Sequence, residues 1–439
     1  MLARLLPVWE KVRTGLWFTP AIISVGAAGL AWLALQVPGG LPPEAASMWW
    51  LHGGDATDAF DLLANLLTAL ITMATLALSI TMVVLTLAAA QLGPRLIRSF
   101  IADQRTQLVL GLFIGTIVYL VLVLRTLHGE LDADAVPRAA VTAGTALVLL
   151  SVFALLFYVH HLARSIVADT MIQRVGAALD QAIRAQLAPS TEAPVEKDGA
   201  RPPGEHLPYA EVEATRGGYV QTVDVESILA QAQRDDAIVA LDFRPGHHLL
   251  AGCALARVWP PTALGDALRE AVREAVVIGD ARTAAQDVEF SLRQLVEIAL
   301  RALSSGINDP HTAVAVVDRL GRALALAMAQ QPGRRAWRDQ EGVLRLHARF
   351  PDFDGIVDAA LNEIRQAAQG NAAVLIHLLA TLDQLAGQTR HADHRRIIGE
   401  HVRMVAEAGR RSLEEPRDLA ALEARRARAL ARLEDARGA

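Results

Sequence analysis

Cysteine occurs once in 439 residues, at position 253. No intrachain disulfide can form, and a CxxC redox or zinc motif is excluded. Lysine is almost as scarce: Lys11 and Lys197 are the two present, and the other forty of the 42 basic residues are arginine. Neither lysine stands where a Schiff base or a biotin attachment would be built. GxxxxGK(S/T), GxSxG and HExxH are all missing from the chain, which removes the usual phosphate loop, nucleophile elbow and zinc-protease signatures. A net charge of −5 gives no electrostatic footprint for nucleic acid. At the level of motifs the chain offers no catalytic residue, no cofactor and no metal. A membrane-bound hydrolase or transferase is the least supported class.

What is abundant is apolar sequence, 52% of the chain. Four stretches, Phe18–Val37, Leu62–Leu92, Leu108–Leu124 and Ala139–Val159, are each long enough to cross about 30 Å of hydrocarbon. The first lacks a clear small-x-small cleavage site and reads as a span rather than a signal peptide. Arg4, Lys11 and Arg13 precede it, Arg95, Arg98 and Arg105 lie between the second and third spans, and Arg164 and Arg174 follow the fourth. The first–second connection has no Lys or Arg, only Glu44, Asp55, Asp58 and Asp61. The third–fourth sets Arg138 against Glu130, Asp132 and Asp134. Basic residues are retained on the cytoplasmic side, so both termini are expected inside. Trp17, Phe18, Trp49 and Trp50 fit interfacial belts.

The second span carries a polar stripe. Asp58, Asp61, Asn65, Thr68, Thr72, Thr75, Ser79, Met82, Thr86 and Ala89 recur at alternating spacings of three and four. On a continuous helix they share one face for about 50 Å. Two readings fit. The stripe lines a water-filled path in an oligomer, with the aspartates favouring cations at its mouth. Otherwise its small hydroxyl residues let helices pack closely, or bond back to their own i−4 carbonyls. No span buries an unpaired charge near its centre: Arg125 lies at the end of the third, and His160 and His161 at the end of the fourth. That argues against a proton-coupled carrier. Four spans can transport only by assembly between copies.

The chain divides as a four-span domain over 1–163, a helical extension over 164–187, a Pro-bearing linker over 188–208, a small β-rich domain over 209–260, a helical domain over 261–410 and a charged helical tail over 411–439. The expected fold is a mainly α membrane protein with a cytoplasmic α+β region, formed by a small β-barrel or sandwich-like segment and a helical bundle. Strands are predicted over Tyr209–Ala214, Gly218–Val223, Ala237–Phe243, His248–Leu250 and Leu255–Trp259, with a helix at Val225–Gln233. Arg244–Val258 resembles the hammerhead turn of biotinyl and lipoyl carrier modules, without the acceptor lysine. His247 and His248 are adjacent on a strand, point to opposite faces and make a poor metal pair. From Ala263 onward the pattern is helical, including Trp337–Leu346, Phe353–Gln369, Asn371–Gly387 and His391–Arg410.

The richest polar stretch is Arg282–Thr312. Glu289, Arg293, Glu297 and Arg301 alternate in sign every four residues, as in a helix laced by i,i+4 pairs. Gly306 is expected at the helix C-cap, with Asp309 capping the next helix and Pro310 at its first position. The functional reading makes Gln286, Asp287, Glu289, Arg293, Glu297, Asn308 and Asp309 a polar site for a cation or a partner. His391, His394 and His401 share a possible helix face but are crowded by arginines, so a structural surface is favoured over zinc.

Five strings in order, Gln91–Phe100, Tyr158–Ser165, Gly218–Gln221, Gln286–Phe290 and Ala302–Pro310, carry a resemblance to the bacterial predicted-membrane-protein family called domain of unknown function 2254. It runs over nearly the whole chain, with Ser305 and His311 as small departures. The resemblance implies the bacterial inner membrane and carries no activity or residue roles. Two function classes stand ahead of the enzyme. One is an oligomeric channel with the second span lining the path and the cytoplasmic region as vestibule or gate. The other is a membrane-anchored sensor or scaffold whose cytoplasmic region binds a partner or ligand. Expected partners are the lipid bilayer, further copies of the chain, and ions or a small solute.

Overall fold

A computed structural model of the protein describes residues 17–36, 55–92, 103–127, 136–165, 168–187, 203, 206–284, 286–329, 336–348 and 352–435. Arg4, Lys11, Arg13, Trp49, Trp50, Arg95, Arg98 and most of the 188–208 linker lie outside them. The chain forms two compact units, Met1–Val167 and Ala168–Ala439.

The first unit consists of α1 (Phe18–Gln36), α2 (Ala56–Leu92), α3 (Gln104–Leu127) and α4 (Arg138–Ser165). All four are long and apolar enough to cross a membrane. Helix α3 is the hub: it packs against each of the other three and is the most buried. Phe113, Tyr119, Leu120 and Val123 are fully enclosed on it, and the Tyr119 hydroxyl donates to the Ala140 carbonyl of α4 at 2.9 Å. Gly111 and Gly115, one turn apart, let α1 come close. A Cβ on Gly111 would stand 2.5 Å from Ile23 Cδ1 and 3.1 Å from the Pro20 Cα, and one on Gly115 3.0 Å from Ile23 Cγ2. Lipid tails are as apolar as the side chains, so association of spans relies on this kind of close backbone approach.

The second unit opens with α5 (Ala168–Leu187), then β1 (Ala210–Glu213), β2 (Gly218–Val223), α6 (Val225–Arg234), β3 (Ile238–Leu241), β4 (His248–Leu249), β5 (Ala254–Trp259), α7 (Asp266–Ala275) and β6 (Val276–Gly279). It continues with α8 (Val288–Ala302), α9 (Pro310–Ala329), β7 (Ala336–Arg338), β8 (Leu344–Ala348), α10 (Phe353–Ala367), α11 (Ala372–Ala386), α12 (Ala392–Ser412) and α13 (Pro416–Asp435). The expected barrel is not closed. The strands form a five-stranded sheet in the order β1-β5-β3-β8-β7 and a three-stranded sheet in the order β4-β2-β6. Two strand regions had read as helix. In β8, buried Leu344, Leu346 and Ala348 alternate with Arg345 and His347, a period of two that five residues are too short to announce. Strand β8 pairs in parallel with β3, about a hundred residues upstream in sequence. In β6 the run Val276–Gly279 follows α7 without a turn and pairs with β2. Val239, Leu241, Val258 and Leu346 close a core with Ile228 and Ala232 of α6 and Leu268 and Val272 of α7.

In this unit α11 packs most extensively on α13 and also on α9 and α12, α8 packs on α9 and α10, and α5 lies on α8 and α9. Arg319 of α9 is buried and reaches Asp180 of α5 at 2.8 Å. The guanidinium passes so close to Gly176 that a Cβ there would lie 1.9 Å from Nε.

Replacing Gly111 with valine should cost about 1–3 kcal/mol through overpacking against Ile23 and Pro20. Gly26, where an added Cβ meets nothing within 4 Å, should accept alanine without loss. Thermal unfolding of both variants in the same detergent measures the difference.

Candidate functional site

From Asp58 to Thr86 the second-span stripe occupies one exposed face of α2. Asp58, Asp61, Asn65, Thr68, Thr72, Thr75, Ser79, Met82 and Thr86 are exposed, while Ala59, Leu63, Leu70, Ala74, Ala77 and Val84 are buried toward the other spans. The hydroxyls of Thr68, Thr72, Thr75 and Thr86 donate to the carbonyls of Ala64, Thr68, Ile71 and Met82, at 2.9, 3.0, 2.9 and 2.9 Å. Their protons are therefore satisfied within the helix. The stripe is not packed against another span of the same chain. Asn65 differs from the threonines, because a carboxamide with two donors and an acceptor cannot be satisfied by one i−4 carbonyl.

Polar links that spacing alone did not reveal tie the spans together. Asp103, just before α3, meets His161 Nε2 of α4 at 2.7 Å and accepts from the Thr106 hydroxyl at 3.0 Å. Burial of Asp103 opposes its charge, but the bonds from His161 and Thr106 outweigh it and hold the carboxyl below the usual range. Gln107 is buried and accepts from the Thr19 hydroxyl of α1 at 2.7 Å. Thr81, on the inner side of α2, is hydrogen-bonded to Tyr158 of α4. These pairs join residues up to 88 positions apart, a separation at which sequence spacing carries no signal.

In the second unit two of the family strings come together around a clasp of charges. Gln221, from Gly218–Gln221, donates to the Ala281 carbonyl at 2.9 Å, next to Arg282. Arg282 holds Asp287, from Gln286–Phe290, with two parallel bonds, Nε to Oδ2 at 2.7 Å and Nη2 to Oδ1 at 2.9 Å. Asp287 is buried and also caps α8 by accepting from the Phe290 amide at 3.1 Å. Glu289 is bonded by Arg244, with Arg282 at 3.7 Å and Arg293 at 3.9 Å behind it. Burial opposes the charge of Arg282, and the two carboxylates more than offset it, raising its affinity for the proton. Gln286 closes the end of β2, accepting from Val223 N at 2.8 Å and donating to Val223 O at 3.3 Å. Gly246, at φ +91°, lies against Asp287, where a Cβ would be 2.2 Å from Oδ2. The adjacent His247 imidazole, exposed at one edge, is pushed below its ordinary value by partial desolvation and by Arg244, against Glu289. Both His247 and His248 are exposed, and His248 stacks edge-on to Tyr219.

The seven residues of the expected polar site are split into separate groups, and Asp287 and Glu289 do not meet Asn308 and Asp309. Gln286, Asp287 and Glu289 stand at the start of α8, whereas Asn308 and Asp309 follow its end, about 22 Å away along a 15-residue helix. Arg293 turns to Glu363 at 3.1 Å, and Glu297 pairs with Arg301 at 3.7 Å. Asp309 caps α9, accepting from the Thr312 hydroxyl at 2.6 Å and from the His311 and Thr312 amides at 3.1 Å. The left-handed residue of this turn is Asn308, at φ 49°, and not Gly306; asparagine tolerates that conformation through its short polar side chain. Among the described residues no three His, Cys, Asp or Glu side chains gather as a metal site. His391 and His394 are ring neighbours, while His401, two turns further along the same face, is buried and meets Asp358 at 3.2 Å.

Four membrane-length apolar helices define a multi-span membrane protein. Its charged clusters are bound up in internal pairs rather than opened around a cavity. The chain belongs to the family described as predicted membrane protein (DUF2254), whose model matches residues 13–384. It is similar to the uncharacterized protein Rv1290c of Mycobacterium tuberculosis and to the uncharacterized protein Mb1321c of Mycobacterium bovis. Each is 29% identical over 430 residues, covering 96% of this chain and 81% of the relative. No solved structure matches the chain.

Removing one carboxylate of the clasp leaves a charge without its partner. Asp287→Ala should cost about 3–5 kcal/mol, and Asp287→Asn, which keeps the helix cap, should cost less; denaturant unfolding of the full chain compares them. His401 gives a pH signature. Burial, only partly opposed by Asp358, lowers its affinity for the proton, so the unfolded chain binds more protons. The stability that neutral His401 contributes is complete above roughly pH 6.5 and declines as pH falls through the depressed folded value. His401→Phe should flatten the slope of the unfolding midpoint between roughly pH 7.5 and 5.5.

Proposed function

We propose that this chain assembles into an oligomeric pore of the bacterial inner membrane, both termini cytoplasmic, with α2 lining the path. The second unit is its vestibule or gate. The observation that carries this reading is the exposure of the whole Asp58–Thr86 stripe on the side of α2 turned away from α1, α3 and α4. A lone copy would present Asn65 and the acidic end of the stripe to lipid. In a ring of copies they face water and one another. Repetition of Asp58 and Asp61 around an axis makes a ring of carboxylates that favours cations, while the back-bonded threonines leave acceptor oxygens toward the path. The alternative, a membrane-anchored sensor, is less favoured, because the charged groups of the Arg282–Asp287 clasp are spent on one another.

Oligomeric state in nanodiscs, followed by cation flux in liposomes on the same preparation, tests the pore. A ring with measurable flux is expected. Thr72→Trp should abolish that flux without changing the assembly, and Asp58→Asn with Asp61→Asn should weaken cation preference. A monomer without flux would sink the reading.

A further inference from the structure

A groove of about 430 Å³ runs between α2 and α3, lined by Phe60, Leu67, Val121, Leu124 and Arg125. We propose that it binds a membrane phospholipid, with an acyl chain against the four apolar side chains and the phosphate on Arg125. The inference rests on the membrane assignment and not on the pore.

Phe60 and Leu67 are two turns apart on α2, and Val121, Leu124 and Arg125 occupy the last two turns of α3. The two helices run antiparallel, so the amino end of one wall meets the carboxyl end of the other. The cavity has the size of sites that hold small ligands, and its walls are hydrocarbon except at one place. There the Arg125 guanidinium is exposed, two residues before α3 ends. Among the described residues no carboxylate pairs with it.

At 24 residues, α3 is about 36 Å long. It therefore exceeds the roughly 30 Å of hydrocarbon and brings Arg125 to the headgroup level. The carboxyl end of a helix favours a cation, and a guanidinium presents two parallel donors to a phosphate. An apolar slot continuous with the acyl region, capped by a guanidinium with no carboxylate partner among the described residues, matches a phospholipid. A free phosphate would use the cap and leave the slot unfilled. A neighbouring copy of the chain would instead bring side chains into it.

The probe is dioleoyl phosphatidylglycerol added to delipidated full-length protein in mild detergent, with retained lipid counted by native mass spectrometry. Expected is one tightly retained lipid per chain, with retention at least tenfold weaker in both Arg125→Gln and Val121→Trp. Both positions are exposed, so both variants should fold as the parent does, which size-exclusion profiles check. Arg125→Lys should retain part of the binding. Unchanged retention in either of the first two variants overturns the proposal. So does competition by glycerol phosphate, which would mark a free-anion site, and so does a groove filled by a second copy with no lipid retained.

Discussion

In hydrocarbon a polar group has to find its hydrogen-bond partner inside the protein, because no water is there to supply one. That constraint orders the whole first unit. Thr68, Thr72, Thr75 and Thr86 meet it by bonding to their own helix. Tyr119 meets it on Ala140, Gln107 on Thr19, and Tyr158 on Thr81. Each of the last three bonds crosses between helices, so satisfying the group also sets which spans are neighbours. The glycines of α3 do the complementary work. They remove side-chain bulk where α1 approaches, so that dispersion contacts replace the hydrophobic drive that lipid cannot provide.

The second unit meets a related problem with charges. Asp287 and Glu289 lie at the start of α8 with little exposure, where a carboxylate without a partner is costly. Arg282 and Arg244 arrive from two different loops to hold them. The ion pairs thus fix the β2 edge, the Arg244–His247 turn and the α8 start against one another. Arg319 is less fully served. It holds Asp180, while its Nε and Nη1, and one oxygen of Asp180, have no hydrogen-bond partner among the described residues. A pair so placed contributes little net stability, and its geometry instead specifies how α5 lies on α9.

Much of the helical content was legible because its signals are local. Span positions follow from uninterrupted hydropathy, the α2 stripe from its three-four spacing, and the start of α9 from Asp309 and Pro310. What escaped was non-local or too short. Strand β8 is five residues long and owes its state to β3, far upstream. The barrel expectation failed because that strand and β7 enter the same sheet as β3 and β5. Gly111 and Gly115 could have been found, since a four-residue glycine spacing in a span is a known packing signal. The Asp103–His161 pair could not, because nothing in either residue's neighbourhood names the other. The stretch around Arg282 announced polar density, but which charges would meet depended on Arg244, which lies in a turn of the β region.

The heptad geometry of α2 sharpens the case for assembly. With the stripe at positions a and d, the residues at f are Leu63, Leu70, Ala77 and Val84, and all four are buried. Position f lies roughly 170° around the helix from the a/d seam at 100° per residue. The helix therefore turns its most buried edge to its own unit and its polar edge directly outward. The e positions Leu62, Ala69, Leu76 and Val83 are apolar and exposed beside the seam. A coiled coil in water has the reverse arrangement, with apolar a/d and charged e/g. Polar seams with apolar flanks suit a helix whose flanks meet lipid or a neighbouring apolar helix and whose seam meets water. A lone helix facing lipid gains nothing from keeping polar or flexible side chains in register from Asp58 to Thr86.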